Sequence, residues 1–226
     1  MKRLCLILFG APGSGKGTQA KLLKAALGIA HISTGDMLRE RIASGDPLGK
    51  EVEELMKNGT LVSDETVDRL VKERIEEPDA QPGFILDGFP RTVNQASLLQ
   101  KALAAKGIRP LVVHLIVDYN VIIARLSGRR QCPTCGSLYS VTSTSLSEAE
   151  VCDYDGSKLV VREDDRADVV EARLANYDRQ TAPVLEFLKS AGYLCEDVEG
   201  AGDSPQAISR KIQKLIEQYR AGEMSA

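Results

Sequence analysis

The chain has 226 residues, enough for one sizeable core with small modules attached. Hydrophobic residues make up 43% and charged residues 27%, with a formal net charge of −3, a balance that speaks against a general nucleic-acid binder. No apolar run nears the ~18 residues of a membrane-spanning helix. The start "MKRLCLILFG" resembles a leader only faintly, because it runs into "APGSGKGT" with no small-residue cleavage site; it reads as a buried strand. Five Cys, an odd number with three in one short region, exclude a disulfide framework and point to a reducing cytoplasm.

In chain order, "RLCLILF" (3–9) is a continuous apolar run ending at Gly10, the pattern of a central parallel strand. Leu22, Leu23, Ala26 and Leu27 share a helical face behind it. Val67, Leu70, Val71, Arg74 and Ile75 share another, after the N-cap candidate Ser63. Further strands are expected at "GFILD" (83–87), "LVVHLIV" (111–117) and "YLCEDV" (193–198), with helices at about 92–105, 119–127, 166–190 and 204–220. Strands alternating with helices predict an α/β fold: a central parallel sheet with its ligand outside the carboxyl ends of the strands. Two stretches break the alternation. Residues 33–62 carry two short helical patterns around the turn "SGDP". Residues 128–165 show only short alternating pieces such as "SLYSV" and "KLVV". A structureless loop that long is improbable in a compact domain, so 128–165 reads as a small module, too poor in large apolar residues to build its own core.

"GAPGSGKGT" (10–18) sits between a predicted strand and a predicted helix. Its glycines let backbone N–H groups wrap a phosphate chain at a helix N-terminus, and Lys16 would reach the outer phosphates of a nucleotide polyphosphate. The strict pattern places Ser or Thr directly after the lysine; here Gly17 precedes Thr18. "GFILDGFPRT" ends a second strand at Asp87, where an acid could hold Mg²⁺ through water, and turns to present Arg91. Arg39 lies in the first odd stretch, Arg91 at the strand end, and Arg125, Arg129, Arg162 and Arg173 flank the second stretch, whereas Arg41, Arg69 and Arg130 read as solvated. Arginine forks suit phosphate oxygens. No residue suggests a base for a hydroxyl or water nucleophile, which makes sense if the acceptor is itself an anionic phosphate.

The segments "GAPGSGKGTQA", "HISTGDMLR", "GTLVSDE", "GFILDGFPRT", "RLSGRR" and "REDD…RL…Y…TAPV" together resemble the adenylate kinase family in its long-lid form, from residue 4 to about 190. The resemblance implies a P-loop nucleotide kinase fold and the reversible reaction Mg·ATP + AMP ⇌ 2 ADP. It also implies a core of 1–32, 63–127 and 166–226, an AMP-binding part at 33–62 and a small β lid at 128–165. Carried over by position, Gly13, Ser14, Gly15, Lys16, Gly17 and Thr18 would hold the ATP phosphates. Thr34, Arg39, Thr60, Leu61, Val62, Gly88, Phe89, Pro90, Arg91 and Gln95 would hold AMP. Arg125, Arg129, Arg162 and Arg173 would close on the phosphates, the last two reaching the AMP side. Leu138, Tyr139 and the segment "EGAG" near Gly202 fall where the family meets the ATP base. His31 and His114 are expected to be structural. Three positions depart from the family's common pattern: Ser140 follows Tyr139, "TSTSLSEAE" replaces a proline-rich lid stretch, and Arg166 follows "REDD". They leave GTP as an alternative donor, and another nucleoside monophosphate kinase as an alternative reading.

CPTCG (132–136) and CDYDG (152–156) share one spacing and a trailing glycine, so each could form one knuckle of a tetrahedral metal site. By that register Cys132, Cys135, Cys152 and Asp155 are the ligands, and Asp153 is not. The family includes lids with zinc on four cysteines and lids with an acidic fourth ligand. A closed four-ligand site would be structural, most simply Zn²⁺, with Co or Fe tolerated through the harder aspartate oxygen. Partners are then small nucleotides (ATP, AMP and ADP), with no nucleic acid and no membrane, and the enzyme is expected to be a monomer in the cytoplasm. A zinc-ribbon nucleic-acid module and a catalytically silent nucleotide sensor are the rivals. The first is opposed by the acidic balance and only four Phe and six Tyr, the second by the full set of phosphate-binding side chains. A UMP/CMP-type kinase would resemble the family with a short lid.

Overall fold

The computed structural model describes residues 3–141 and 150–222. From the N-terminus it runs β1 (Leu4–Phe9), α1 (Lys16–Leu27), β2 (Ala30–Ser33), α2 (Thr34–Ser44), α3 (Pro47–Lys57), α4 (Asp64–Ile75), β3 (Gly83–Asp87), α5 (Val93–Ala104), β4 (Pro110–Ile116) and α6 (Tyr119–Ser127). A short ribbon, β5 (Arg129–Gln131) with β6 (Leu138–Ser140), precedes α7 (Ala167–Asn176), α8 (Ala182–Ser190), β7 (Leu194–Glu199) and α9 (Pro205–Ala221). The helix starts follow the sequence. Ser33, Asp46, Ser63, Thr92 and Ser204 each accept a backbone N–H of the following turn, satisfying donors that a helix N-terminus leaves free.

Five strands form one parallel sheet in the order β2-β3-β1-β4-β7. Every residue of β1 is buried, because helices cover both faces of the sheet. Its side chains divide by parity. Cys5, Ile7 and Phe9 join a core with Ala96, Leu99 and Leu103 of α5 and Val184 and Leu188 of α8. Leu4, Leu6 and Leu8 join a second core with Ala20 and Leu23 of α1 and Ile208, Ile212 and Ile216 of α9. The neighbouring strands β1 and β3 therefore send their following helices to opposite faces, which opens a crevice at their carboxyl ends. The register Leu8↔Asp87 brings the start of the glycine-rich loop and the end of β3 to the same edge.

Three expectations need adjusting. The list of predicted strands lacked β2, a four-residue edge strand, Ala-His-Ile-Ser, too short and too polar to stand out. The helix expected over 166–190 is two helices joined by a π turn, Tyr177–Thr181. On α1 the buried positions are Gln19, Ala20 and Leu23, while Ala26 is exposed, so the predicted face is rotated. Residues 33–62 hold the two short helices α2 and α3, as expected. Residues 128–165 hold the β5–β6 ribbon, the bridges Gln131↔Val160 and Val151↔Lys158, and a small apolar cluster of Cys132, Cys152 and Leu159 packed by Tyr139. Most of "TSTSLSEAE" lies outside the described residues.

Candidate active site

A cleft of about 1010 Å³ opens at the carboxyl edge of the sheet. The loop from Gly10 to Gly15 wraps its floor and leads into α1, whose first turn has no side-chain cap, so its N–H groups are free for an anion. Gly13 has φ +82°, and a Cβ there would stand 2.9 Å from Leu126 Cγ on α6; a side chain at this position would push the loop off its support. Lys16 Nζ donates to the carbonyls of Gly10 and Ala11, at 2.7 and 2.8 Å, and so lies back along the loop it would leave to meet a phosphate. Burial pulls the Lys16 ammonium down to about 8; Asp87 opposes this, and Arg91, Arg173 and Arg129 add to it.

The arginines approach from every side. Arg91, at the turn after β3, donates from Nε to the Gly88 carbonyl at 2.8 Å, and burial followed by the charge of Arg173 lowers it to about 10. Arg162 is likewise lowered to about 10 by burial and by Arg39, and its Nε bonds Gln131 Oε1 at 2.5 Å. Arg173 reaches Asp164 Oδ2 at 3.1 Å and Asp165 Oδ1 at 3.2 Å, and Arg129 pairs with Asp165 through two hydrogen bonds. Arg125 Nη2 donates to the Gly200 carbonyl at 2.7 Å. Arg39 is held by Asp36 at 2.5 Å and lies 3.9 Å from Asp164. Burial works against the charge of Asp164, but Arg173, Arg39, Arg162 and Arg129 together hold it below the usual carboxylate range. The like charges depress one another, so the cleft carries unneutralised positive charge. Such a site is organised for an anionic ligand before one arrives.

Of the residues expected at a nucleotide site, Gly13 to Thr18, Thr34, Arg39, Thr60 to Val62, Asp87 to Arg91, Gln95, Arg125, Arg129, Leu138, Tyr139, Arg162 and Arg173 all line this one cleft. Gly202 does not; Gly200, Asp203 and Pro205, in the connection between β7 and α9 and at the start of α9, line that wall instead. Sequence reasoning passed over Asp164, Asp165, Asn176 and Thr181 and left the partners of the two histidines open. Asp164 and Asp165 are the counter-charges of the arginines, a role that the "REDD" run gives no local sign of. His31 stands with Nε2 3.3 Å from Asp87 Oδ2, a contact that fixes the carboxylate's position. His114 bonds Asp197 at 2.9 Å and packs edge-on against Phe9, the structural role expected of it. Thr181, in the π turn, donates to the Arg91 carbonyl at 2.9 Å, and Asn176 donates to the Gly59 carbonyl at 3.0 Å. A π turn commonly marks a functional position; here it bonds the Arg91 wall through Thr181, while Asn176, the last residue of the helix bearing Arg173, bonds Gly59.

Beside the cleft, Cys132, Cys135, Cys152 and Asp155 bring four ligand atoms within 4.8 Å of one another. The two corners are built alike. Gly136 N bonds Cys132 O at 3.1 Å and Gly156 N bonds Cys152 O at 2.9 Å, with both glycines at φ near +70°. Cys135 Sγ lies 3.5 Å from Cys152 Sγ, and Cys132 Sγ lies 3.3 Å from Asp155 Oδ2. A tetrahedral ion with bonds of about 2.3 Å to sulfur and 2.0 Å to oxygen needs edges of roughly 3.5–3.8 Å, so the donor set fits one. Two backbone N–H groups, of Thr134 and Cys135, each 3.3 Å from Cys132 Sγ, would stabilise a thiolate there. Lys21 of α1 bonds the Gly136 carbonyl at 3.1 Å, joining the first corner to the helix that follows the glycine-rich loop.

Comparison with known proteins agrees with this geometry. The family profile described as Adenylate kinase matches residues 8–193. An adenylate kinase of Anaeromyxobacter dehalogenans (strain 2CP-C) is 44% identical over 214 residues, covering 94% of this chain and 99% of that one. One from Oceanobacillus iheyensis is 45% identical over 213 residues, covering 94% and 98%. One from Caldicellulosiruptor saccharolyticus is 45% identical over 210 residues, covering 92% and 98%. With the phosphate cradle, the arginine-lined cleft and this near full-length likeness all in hand, the chain belongs to the adenylate kinase family.

Proposed function

We propose that the chain transfers the terminal phosphoryl group of Mg·ATP to AMP, reversibly, giving two ADP. The observation that carries the reading is the arrangement of arginines around Lys16 at the glycine-rich loop. Phosphoryl transfer between two phosphates needs positioning and charge stabilisation more than proton transfer. Gly13 to Thr18 cradle the ATP phosphates, and Lys16 swings from the Gly10 and Ala11 carbonyls to the outer phosphates. Arg91 and Arg39 hold the AMP phosphate, with Thr34, Thr60 to Val62, Gly88 to Pro90 and Gln95 around the nucleoside. Arg125, Arg129, Arg162 and Arg173 gather on the group in flight. An acceptor phosphate oxygen bonds to the terminal phosphorus as the bond to the bridging oxygen breaks, and the positive cluster spreads the charge. Asp87 and Thr18 supply hard oxygen donors suited to magnesium, which adds charge neutralisation at the phosphates when bound.

In this reading residues 1–32, 63–127 and 166–226 are the core, 33–62 carries AMP, and 128–165 is the lid, with Leu138 and Tyr139 toward the ATP base. Adenylate kinase lids belong to the closures through which an enzyme keeps water from its reaction. The four-ligand cluster holds structural zinc and makes the lid rigid, since four protein donors leave no open position for chemistry. The enzyme works as a monomer in the cytoplasm. A coupled assay of ADP formation tests the reaction: ADP should appear only with ATP and AMP together, and Lys16→Met should lower the rate by orders of magnitude. ADP formation equally fast without AMP would reject it. Replacing ATP by GTP in the same assay separates the two donors.

A further inference from the structure

We propose that Asp64, which does not line the cleft, sets the selectivity for the acceptor base by locking the side-chain amide of Gln95 in one orientation. The inference rests on the reading above, in which the acceptor nucleoside lies against Gln95. That placement has support in the cleft's own make-up. Leu38, Met56, Val62 and Val67 line the cleft as well and form one apolar cluster with Phe89 and Ala96, the residue after Gln95. An apolar slot with one amide in it suits a flat heteroaromatic base.

Asp64 opens α4, and its carboxylate collects donors from the start of α5. Thr92 Oγ1 lies 3.0 and 2.9 Å from its two oxygens, Asn94 Nδ2 at 2.9 Å from Oδ2 and Gln95 Nε2 at 2.9 Å from Oδ1. The other end of the same amide, Gln95 Oε1, accepts the backbone N–H of Arg91 at 2.7 Å. Gln95 is 2% exposed, so these partners cannot be exchanged for water. A carboxylate only accepts and a backbone N–H only donates. Turning the amide over would set oxygen against carboxylate and N–H against N–H. Each end keeps one unused bonding direction, one N–H and one lone pair, in a fixed order.

That order distinguishes bases. A 6-amino purine offers a ring acceptor beside an amino donor, whereas a 6-oxo purine offers a ring N–H beside a carbonyl acceptor. The pattern is reversed. A free glutamine could follow either by turning over; a locked one follows a single base class. Asp64 is thus a positioning residue that acts through Gln95. A phosphate-anchoring residue would change the affinity for both nucleotides alike, and Asp64 should change their ratio.

The test compares AMP with inosine monophosphate as acceptors, by kcat/KM, in the whole enzyme. Asp64→Asn keeps the shape and offers both a carbonyl and an amino group, so it no longer opposes the turned amide and only the Arg91 N–H still does. The preference for AMP should fall about 10-fold or more, the scale of one bidentate base contact. The KM for ATP and kcat with saturating AMP should hold. Asn94→Ala, which removes a different bond to Asp64 and leaves the lock intact, should keep the preference. An unchanged preference in Asp64→Asn, at an unchanged melting temperature, overturns the proposal. Gln95→Ala separates the two readings. If it loses the preference while Asp64→Asn keeps it, the lock is wrong and the base placement stands. If it too keeps the preference, the base does not lie on Gln95, and both fail.

Discussion

Lys16 titrates where its surroundings put it. Its ammonium is brought down to about 8 by burial, against Asp87 and with Arg91, Arg173 and Arg129. The free enzyme therefore gives up this proton as pH rises through about 8, while a bound polyphosphate favours the charged form. The sign for binding follows: kcat/KM for ATP should be flat below pH 8 and fall above it, whereas kcat, read from the loaded enzyme, should fall only at higher pH. A pH series of both constants from 6 to 10 checks this, and coincident falls would contradict it. At this scale much of the site was legible. The glycine spacing around Lys16 and the turn "DGFPRT" name their own chemistry. Asp164 was not legible, because a carboxylate that counters four arginines has no local pattern and acquires its meaning only from partners far along the chain; His31 was expected to be structural, but its partner Asp87 was not foreseen.

The elements show the same division. Continuous apolar runs marked β1, β3 and β4, since strands covered on both faces must be hydrophobic throughout. The edge strand β2 pairs on one side only and could afford His31 and Ser33. The π turn at Tyr177–Thr181 was invisible because every residue in it is an acceptable helix former. Its geometry answers to the Arg91 carbonyl, which no periodicity reports. The paired corners at 132–136 and 152–156 were legible as one spacing ending in a left-handed glycine, and the structure gathers Asp155 with the three cysteines. That region has almost no apolar core of its own, only Cys132, Cys152 and Leu159 with Tyr139, so a bound ion should carry its stability. Elemental analysis of dialysed protein should give about one equivalent of zinc, cobalt or iron per chain. Asp155→Ala should lose metal more readily to a chelator and unfold at a lower temperature. A full equivalent held with unchanged affinity would remove Asp155 from the ligand set.

For the whole molecule, the alternation of strands and helices was enough to place the cleft, and the two segments that broke it turn out to flank it. Residues 128–165 are tied to the rest of the chain at the cleft by Lys21 to Gly136, and by Arg173, which pairs with Asp164 and Asp165. A cleft lined by so many arginines should pass a phosphoryl group to another phosphate and not to water. The fate of the terminal phosphate in a single turnover tests that claim most directly. With ATP labelled at the terminal phosphorus and AMP present, the label should appear in ADP in step with the loss of AMP, with little inorganic phosphate. Label released mainly as inorganic phosphate, at a rate indifferent to AMP, would contradict it.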